Sequence, residues 1–315
     1  MRKKRCPFCH QSVVRRNGFH RSGRQRFFCT SCRRSFLWTN PGNRENRQRV
    51  WFERWLMEGY SIRQLSRQSG HHPSKLYRIV RAWLDWEPPQ ARASLERHRY
   101  TLFDGSYFRF PEAIVVLMDA EQHTLIQGAY GVNERSEPQL RAFFQLLKDR
   151  DLMPISCTVD GNRQIARVLK QIWPEIVLQR CLVHVQRQGL SWCRQRPRRP
   201  DARELRGLFL QLMEISTAVQ RDQFMADLAD WEQEFGSNIA ARPERGRVFS
   251  DVKRARSMLL RALPDLFHYL EDPNIPRTTN GLEGYFSRMK KLYRNHGGLT
   301  RTKNYCLWYF KLVPK

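Results

Sequence analysis

The fold is decided by residues 155–184, which read ISCTVDGNRQIARVLKQIWPEIVLQRCLVH. A short strand-like run ends at Asp160-Gly161, and apolar side chains then recur at helical spacing as far as Trp173. A second short apolar run follows and ends near Gln179. The segment therefore predicts a β-α-β unit with a carboxylate at the end of its first strand. A hairpin turn explains Asp160-Gly161 less well, because a helix follows it and not a returning strand.

Three further strand-like runs and an amphipathic helix precede this unit, which gives the order βββαβαβ. This is the α/β plan of ribonuclease H-like proteins, in which the first and fourth strands lie side by side. The predicted strands are 99–103, 113–118, 124–130, 155–159 and 176–179, and the predicted helices are 137–149 and 165–173.

The first and fourth predicted strands both end in an Asp-Gly pair, at Asp104 and Asp160. Two converging carboxylates and a third from a helix can hold two Mg²⁺ ions for phosphoryl transfer. Asp119, at the end of the second strand, is an alternative ligand. For Asp104 a hairpin turn is an equally good explanation, with 107–110 as the returning strand.

Four of the eight cysteines form the pairs Cys6-x-x-Cys9 and Cys29-x-x-Cys32. This spacing predicts a zinc ribbon over residues 1–40 with one structural Zn²⁺. The alternative is two disulfides in a secreted module. Zinc ribbons also serve as protein-binding modules.

The ribbon has two turn signals, Asn17-Gly18 and Ser22-Gly23. It is strongly basic, which favours DNA as the partner. The arginines that we expect to contact DNA are Arg24, Arg26, Arg33 and Arg34.

Residues 44–87 predict a helix-turn-helix. A helix over 45–58 precedes Ser61, a good N-cap for a second helix, and a third helix starts near Pro73. In such a unit the last helix enters the major groove. The side chains expected to read DNA are Ser74, Lys75, Tyr77 and Arg78. An ordinary three-helix packing unit is the alternative.

The chain has 315 residues, with 56 Lys and Arg against 30 Asp and Glu, a net charge of +26. This charge predicts a polyanionic partner, and its clustering along the chain favours double-stranded DNA. No apolar run reaches the length of a membrane helix, and the basic N-terminus lacks the apolar segment of a secretory signal. We therefore expect a cytoplasmic protein without a membrane partner.

Four motifs in order resemble the blocks of Mutator-like transposases, and among these the bacterial insertion-sequence type with an N-terminal zinc ribbon. The motifs are Asp104-Gly105, Val159-Asp160-Gly161-Asn162, Gln179-Arg180-Cys181-Leu182-Val183-His184 and Thr278-Thr279-Asn280-Gly281-Leu282-Glu283-Gly284. The resemblance implies a DDE triad of Asp104, Asp160 and Glu283. It also implies that Cys181 and His184 are a signature beside the active site.

The resemblance implies a ribonuclease H-like catalytic core of residues 98–184 and 278–315, interrupted by an all-helical insertion at 185–277. The apolar spacing over 201–235 and 251–270 supports the helices independently, and Pro264 predicts a kink or break.

Glu283 has another possible role, because an N-cap at Asn280 would place it in a capping box. The basic face that follows is expected to run along DNA phosphates, although a solvated helix face is the alternative. Its members are Arg288, Lys290 and Lys291.

The expected function is that of a transposase that binds the terminal inverted repeats of its own element, cuts DNA and transfers the cut strand to target DNA. Two Mg²⁺ (or Mn²⁺) ions would serve the triad, and both element ends would be held by a homodimer or a larger assembly. Such a protein would lie at the nucleoid of a prokaryotic cell. The alternatives are a non-catalytic DNA-binding regulator, such as a domesticated transposase, and a ribonuclease H-like nuclease.

Overall fold

The computed structural model describes residues 5–37, 41–90, 93–109, 111–243 and 251–314. The chain divides into two compact units, Met1–Trp83 and Leu84–Lys315. None of the described helices is both long enough and apolar enough to cross a bilayer. The last residues of the predicted ribbon (38–40), part of the predicted insertion (244–250) and the end of the proposed returning strand (residue 110) lie outside the described residues.

The first unit opens with a three-stranded antiparallel sheet in the order β1-β2-β3. Its strands are Val14–Phe19 (β1), Gln25–Cys29 (β2) and Ser35–Leu37 (β3). Ser22-Gly23 forms the β1–β2 turn as predicted, with Gly23 at φ +74°. The turn predicted at Asn17-Gly18 is wrong. Both residues lie within β1, where the pairing register shifts between Arg16 and Phe19 and Gly18 takes φ +62°.

Three helices complete the first unit, at Pro41–Glu58 (α1), Ile62–Ser69 (α2) and Pro73–Leu84 (α3). Ser61 caps α2 as expected, and Gln64 closes a capping box with it. Gly70 takes the left-handed conformation at the end of α2. The helix-turn-helix pattern of the sequence thus agrees with the helices that form.

The second unit contains a five-stranded sheet in the order β6-β5-β4-β7-β8. Strands β4, β5 and β6 pair antiparallel, whereas β7 and β8 add in parallel to β4. The strands are Tyr100–Arg109 (β4), Glu112–Asp119 (β5), Leu125–Tyr130 (β6), Ser156–Val159 (β7) and Val177–Arg180 (β8). The predicted order βββαβαβ is present, with its first and fourth strands adjacent.

Strand β4 is longer than predicted. It continues through Asp104 and Gly105, which pair with Val116 and Val115 of β5, and it ends at Arg109. Asp104-Gly105 is therefore not a hairpin turn, and the alternative reading of this pair is wrong. The turn comes after Arg109.

Helices Glu137–Lys148 (α4) and Arg163–Ile172 (α5) cover one face of the sheet. Phe103 of β4 packs there against Phe144 of α4, with ring centroids 4.8 Å apart, and both are fully buried. Because successive strand residues point to opposite faces, Asp104 points away from this core.

A second apolar core consists of residues from helices and the turns that join them. In sequence these residues follow β8 and precede the last two helices. The described part of this region contains Leu182–Cys193 (α6), Pro200–Gln211 (α7), Ala218–Trp231 (α8), Ser237–Ala240 (α9) and Asp251–Ala262 (α10). As predicted, Pro264 breaks the helix and lies in a 3₁₀ turn. No strand occurs in the described parts of 185–277, and the chain then returns to the sheet through Asn280–Arg294 (α11) and Thr302–Leu312 (α12).

Candidate active site

The parallel pairing of β4 with β7 brings the two predicted aspartates to equivalent positions. Leu102 lies opposite Thr158 in this pairing. Asp104 follows Leu102 by two residues, and Asp160 follows Thr158 by two residues. Since parallel strands are about 4.8 Å apart and side chains alternate, the two carboxylates emerge from neighbouring strands on the same face. Asp160 comes directly after the end of β7.

Glu283 reaches this face from the first turn of α11. That turn lies over β4, since a Cβ on Gly281 would lie 3.8 Å from Leu102 Cδ1. The helix is capped by Thr279 without a side-chain hydrogen bond, so the alternative role of Glu283 in a capping box with Asn280 is not observed. The Glu283 carboxylate is thus free of the capping role.

Glu283 is instead paired with basic side chains of α6. The Arg187 guanidinium donates to both of its carboxylate oxygens, at 3.2 and 3.3 Å. His184 Nε2 lies 3.7 Å from Glu283 Oε1. Any other ligand of this carboxylate has to compete with Arg187.

Asp119, the alternative ligand, lies elsewhere. Because β5 is antiparallel to β4, its end lies opposite Thr101 near the start of β4, three residues before Asp104. Asp119 is fully buried, accepts a hydrogen bond from Gln122 N and pairs with His98 Nδ1 at 2.6 Å. Both oxygens are used, so the structure assigns Asp119 to the core.

Cys181 and His184 lie together at the start of α6, and the Thr279 hydroxyl is within hydrogen-bond distance of both side chains. Burial raises the pKa of the Cys181 thiol, but hydrogen bonds from His184 and Thr279 outweigh it and lower that pKa overall. The same pairing raises the pKa of His184 to about 9 against the effect of burial, with the charges of Asp104 and Asp160 adding to the rise. A positively charged imidazole therefore faces the carboxylates, and Thr279 binds the sulfur from the segment before α11.

A fourth carboxylate, which the sequence did not indicate, lies at the same end of the sheet. Glu134 belongs to the loop between β6 and α4, and its side chain lies against Gly105. Burial, followed by the negative charges of Asp160 and Asp104, raises the pKa of Glu134 to about 8. The one available signal was Gly105 itself, because a glycine in a buried strand often marks the close approach of another group.

Asp104 is affected in the same way, although less strongly. The pKa of Asp104 is raised to about 6: burial raises it most, the nearby charge of His184 lowers it, and the charge of Asp160 raises it. These carboxylates repel one another as long as no cation lies between them.

Carboxylate oxygens are the ligands that Mg²⁺ prefers, and Mg²⁺ usually keeps several waters while binding one or two carboxylates. Among the described residues, the four ribbon cysteines are the only group of three or more metal-binding side chains whose ligand atoms all lie within 4.8 Å of one another. The acidic groups are thus more widely spaced than a closed metal cage. Their chemistry fits a hydrated cation held by few protein ligands.

Gly161 makes room for a basic side chain beside Asp160. It has φ +104°, and a Cβ there would lie 1.7 Å from the Arg180 guanidinium. Arg180 donates to the Gly161 carbonyl at 3.1 Å. The guanidinium is thereby fixed at the end of β7.

The basic residues predicted on α11 differ in their surroundings. Lys290 is half-buried and donates a hydrogen bond to Ser106 Oγ, two residues after Asp104. Arg288 is exposed and lies over the Tyr285 ring, and Lys291 is exposed. Lys290 is thus bound to β4, whereas the other two side chains are open to solvent on one side.

In the first unit, Cys6, Cys9, Cys29 and Cys32 converge as predicted. The Sγ atoms of Cys6 and Cys32 are 3.6 Å apart, and those of Cys9 and Cys29 are 3.5 Å apart. All eight cysteines of the chain are free thiols, so the alternative of two disulfides is not observed. The cluster could bind zinc and fits a zinc ribbon.

The predicted DNA-contacting residues of this unit lie mostly at its surface. On α3, Ser74, Tyr77 and Arg78 are exposed, and Lys75 is half-buried beside His71. The four ribbon arginines are exposed as well, namely Arg24, Arg26, Arg33 and Arg34.

Residues 112–242 match the model of a transposase family. The family is described as "Transposase, Mutator family", and the match supports a Mutator-like transposase, as the sequence motifs indicated. A transposase family indicates an enzyme that cuts and transfers DNA strands and therefore binds DNA. The matched region covers less than half of the 315 residues and includes Asp160 and Glu134, but not Asp104 or Glu283. No curated protein matches the chain.

Proposed function

We propose that this chain is a DDE transposase with a ribonuclease H-like core, in which Asp104, Asp160 and Glu283 act together on DNA. The observation that carries the proposal is the parallel register of β4 with β7, which sets the two aspartates side by side. The strand order β6-β5-β4-β7-β8 and the return of α11 to the same face support it.

The donor set fits two divalent cations, Mg²⁺ or Mn²⁺, because all of its members are carboxylates. When bound, such a pair supplies activation of the attacking oxygen and stabilisation of the leaving oxygen in an in-line displacement. Asp104 and Glu134 are buried acids, and both feel the negative charge of Asp160. A bound cation would relieve this repulsion better than water molecules alone.

Arg187 has a separate part in the proposal. Its guanidinium is 63% exposed and holds Glu283 by a bidentate contact. A guanidinium binds phosphate in the same two-pronged way. We therefore expect a DNA phosphate to compete with Glu283 for the Arg187 guanidinium. Once Arg187 binds the phosphate, the Glu283 carboxylate is free for the reaction.

The first unit would recognise the terminal inverted repeats. Exposed Tyr77 and Arg78 of α3 are placed for base edges and phosphates, and the ribbon arginines add phosphate contacts. Both element ends have to be joined to one target, so a homodimer or larger assembly is part of the proposal.

The test is a cleavage and joining assay on DNA from the flanks of the gene. Purified protein is incubated with Mg²⁺ or Mn²⁺ or with neither, and zinc is supplied throughout because a chelator would also strip the cysteines. We expect cuts at the element ends and joined products, both lost in Asp160→Asn. Asp230→Asn, an exposed acid on α8, is the matched control and should leave both steps intact.

Each of the other outcomes would contradict the proposal in a different way. Tight DNA binding without cutting under any metal condition would contradict catalysis and favour the regulator. Cutting without joined products would favour the nuclease. Cutting that persists in Asp160→Asn would remove the carboxylate pair from the reaction.

A further inference from the structure

Glu134 is held against the catalytic strand by the absence of a side chain at Gly105. A Cβ on Gly105 would lie 2.3 Å from Glu134 Cδ and 2.5 and 2.6 Å from its two oxygens. These distances are shorter than any real contact between such atoms. The carboxyl group therefore occupies the position of the missing side chain of Gly105, on the opposite face of β4 from the Asp104 Cβ. The Gly105 N–H in turn donates to Asp104 Oδ1 at 2.9 Å.

One oxygen of this carboxyl group has no partner. Glu134 Oε1 is buried and makes no hydrogen bond. A buried acceptor that is left unsatisfied is costly, and such groups usually bind a water molecule or an ion. The charged groups that act most strongly on Glu134 are Asp160, Asp104 and His184, two of which are acidic.

The loop that carries Glu134 is tied to the end of β7. Asn162 Nδ2 donates to the Glu134 carbonyl at 3.0 Å. The backbone N–H of Asn162 donates to Asp160 Oδ1 at 2.9 Å. Asn162 also caps α5 through Gln164 N, so the position of Glu134 relative to Asp160 is set by a helix start and not by the loop alone.

The neighbouring acid shows what a merely structural glutamate looks like here. Glu137, three residues later, lies at the surface and is paired with Arg141 at 3.1 Å and Arg167 at 3.4 Å. Glu134 has no such ion pair among the described residues, and neither has Asp104 or Asp160.

Glu283 differs again, because Arg187 holds both of its oxygens. We propose that Glu134 is a fourth acidic group of the active site and that Asp104, Asp160 and Glu134 together hold the first divalent cation before DNA arrives, partly through the water molecules that the ion keeps. Glu283 joins later, once Arg187 has released it. This inference rests on the proposed function and adds both a residue and an order of loading to it.

The test is a Mn²⁺ titration of the full-length, zinc-loaded protein without DNA, followed by the electron paramagnetic resonance signal of free Mn²⁺. We expect one ion to bind to the unaltered protein. Glu134→Gln should weaken this binding tenfold or more, and Asp160→Asn should abolish it. Glu283→Gln should change it by less than about twofold, and Glu137→Gln is the matched control without effect.

A second variant guards against misfolding as the cause. Gly105→Ala leaves every carboxylate in the chain but expels that of Glu134 from its place, so it should weaken Mn²⁺ binding as Glu134→Gln does. Near-ultraviolet circular dichroism reports whether either variant retains native packing. If Gly105→Ala alone loses this signal, Glu134→Gln decides the question.

The outcomes separate this inference from the proposed function. Binding that Glu134→Gln leaves unchanged, while Asp160→Asn loses it, overturns the role of Glu134 and keeps the carboxylate pair. Binding that Glu283→Gln weakens as much as Glu134→Gln overturns the order of loading. If no variant differs from the unaltered protein, the ion does not bind at these acids, and the metal chemistry of the proposed function fails together with this inference.

Discussion

Replacing Glu134 with Gln should make the metal-free protein more stable at alkaline pH. The buried carboxyl group has a pKa raised from the ordinary 4.5 to about 8, first by burial and then by Asp160 and Asp104. A glutamine of the same shape fills the place beside Gly105 without ever becoming charged. The gain should therefore appear only at the pH values where Glu134 would ionise.

The sign follows from proton linkage. Below pH 4.5 the group is protonated in both the folded and the unfolded chain, and its contribution to stability is fully present. Between pH 4.5 and 8 the unfolded chain releases the proton and the folded chain keeps it, so the free energy of unfolding falls as pH rises. Each pKa unit is worth about 1.4 kcal/mol, and the loss by pH 8 is therefore up to about 4 kcal/mol.

Thermal unfolding of zinc-loaded, Mg²⁺-free protein from pH 5 to pH 8.5 measures this effect. For a unit of this size, 4 kcal/mol corresponds to roughly 8–16 °C in Tm. Glu134→Gln should cancel most of that decline relative to the unaltered protein. Glu137→Gln, at a partly exposed acid that pairs with Arg141 and Arg167, should keep the same pH dependence as the unaltered protein. Parallel curves for all three proteins would refute the buried, ionisable state of Glu134. Added Mn²⁺ should restore the stability of the unaltered protein at pH 8 more than that of Glu134→Gln.

Three further predictions concern other parts of the chain. Cys29→Ser should abolish the bound zinc found by elemental analysis and unfold the ribbon, because a module this small depends on its metal; a ribbon that keeps its circular dichroism without zinc would contradict this. Gly161→Ala should destabilise the protein somewhat more than the ~1–2 kcal/mol expected for a left-handed alanine, because its Cβ would also push the Arg180 guanidinium out of its place. Gly131→Ala, with φ +81° and open space around it, is the control, and equal losses of unfolding free energy in denaturant would disprove the collision. Arg78→Ala should weaken DNA binding and reduce the salt dependence of log K by about 1, as fluorescence anisotropy at several salt concentrations would reveal, and an unchanged slope would exclude a phosphate contact.

The sheet could be predicted because its strands are short apolar runs separated by an amphipathic helix or a turn, and such patterns are local. The end of β4 could not be predicted in the same way. Asp104-Gly105 has the local signature of a turn, but its pairing with Val116 and Val115 of β5 keeps the strand extended for another four residues. Tertiary pairing overrides the local signal there.

The acidic residues of the site also differ in whether the local sequence indicates them. Asp160 was predictable because a strand and a helix flank it in sequence, and Glu283 was indicated only by a resemblance. Glu134 lies in an irregular loop with no periodic pattern around it, so nothing local distinguishes it from Glu137. What separates the two is burial against Gly105 on one side and pairing with Arg141 on the other, and both depend on the complete fold.

The contacts of Gly105 and Gly161 explain why a glycine follows the aspartate in both Asp-Gly pairs. In each pair the aspartate supplies a carboxylate on one face of the sheet edge, and the glycine leaves space that a charged side chain from another element fills. At Gly105 that side chain is the acid Glu134, and at Gly161 it is the base Arg180. An alanine after Asp104 would thus displace an acidic side chain from the site, whereas an alanine after Asp160 would displace a basic one. The two glycines thus determine which charged side chains lie next to the carboxylates.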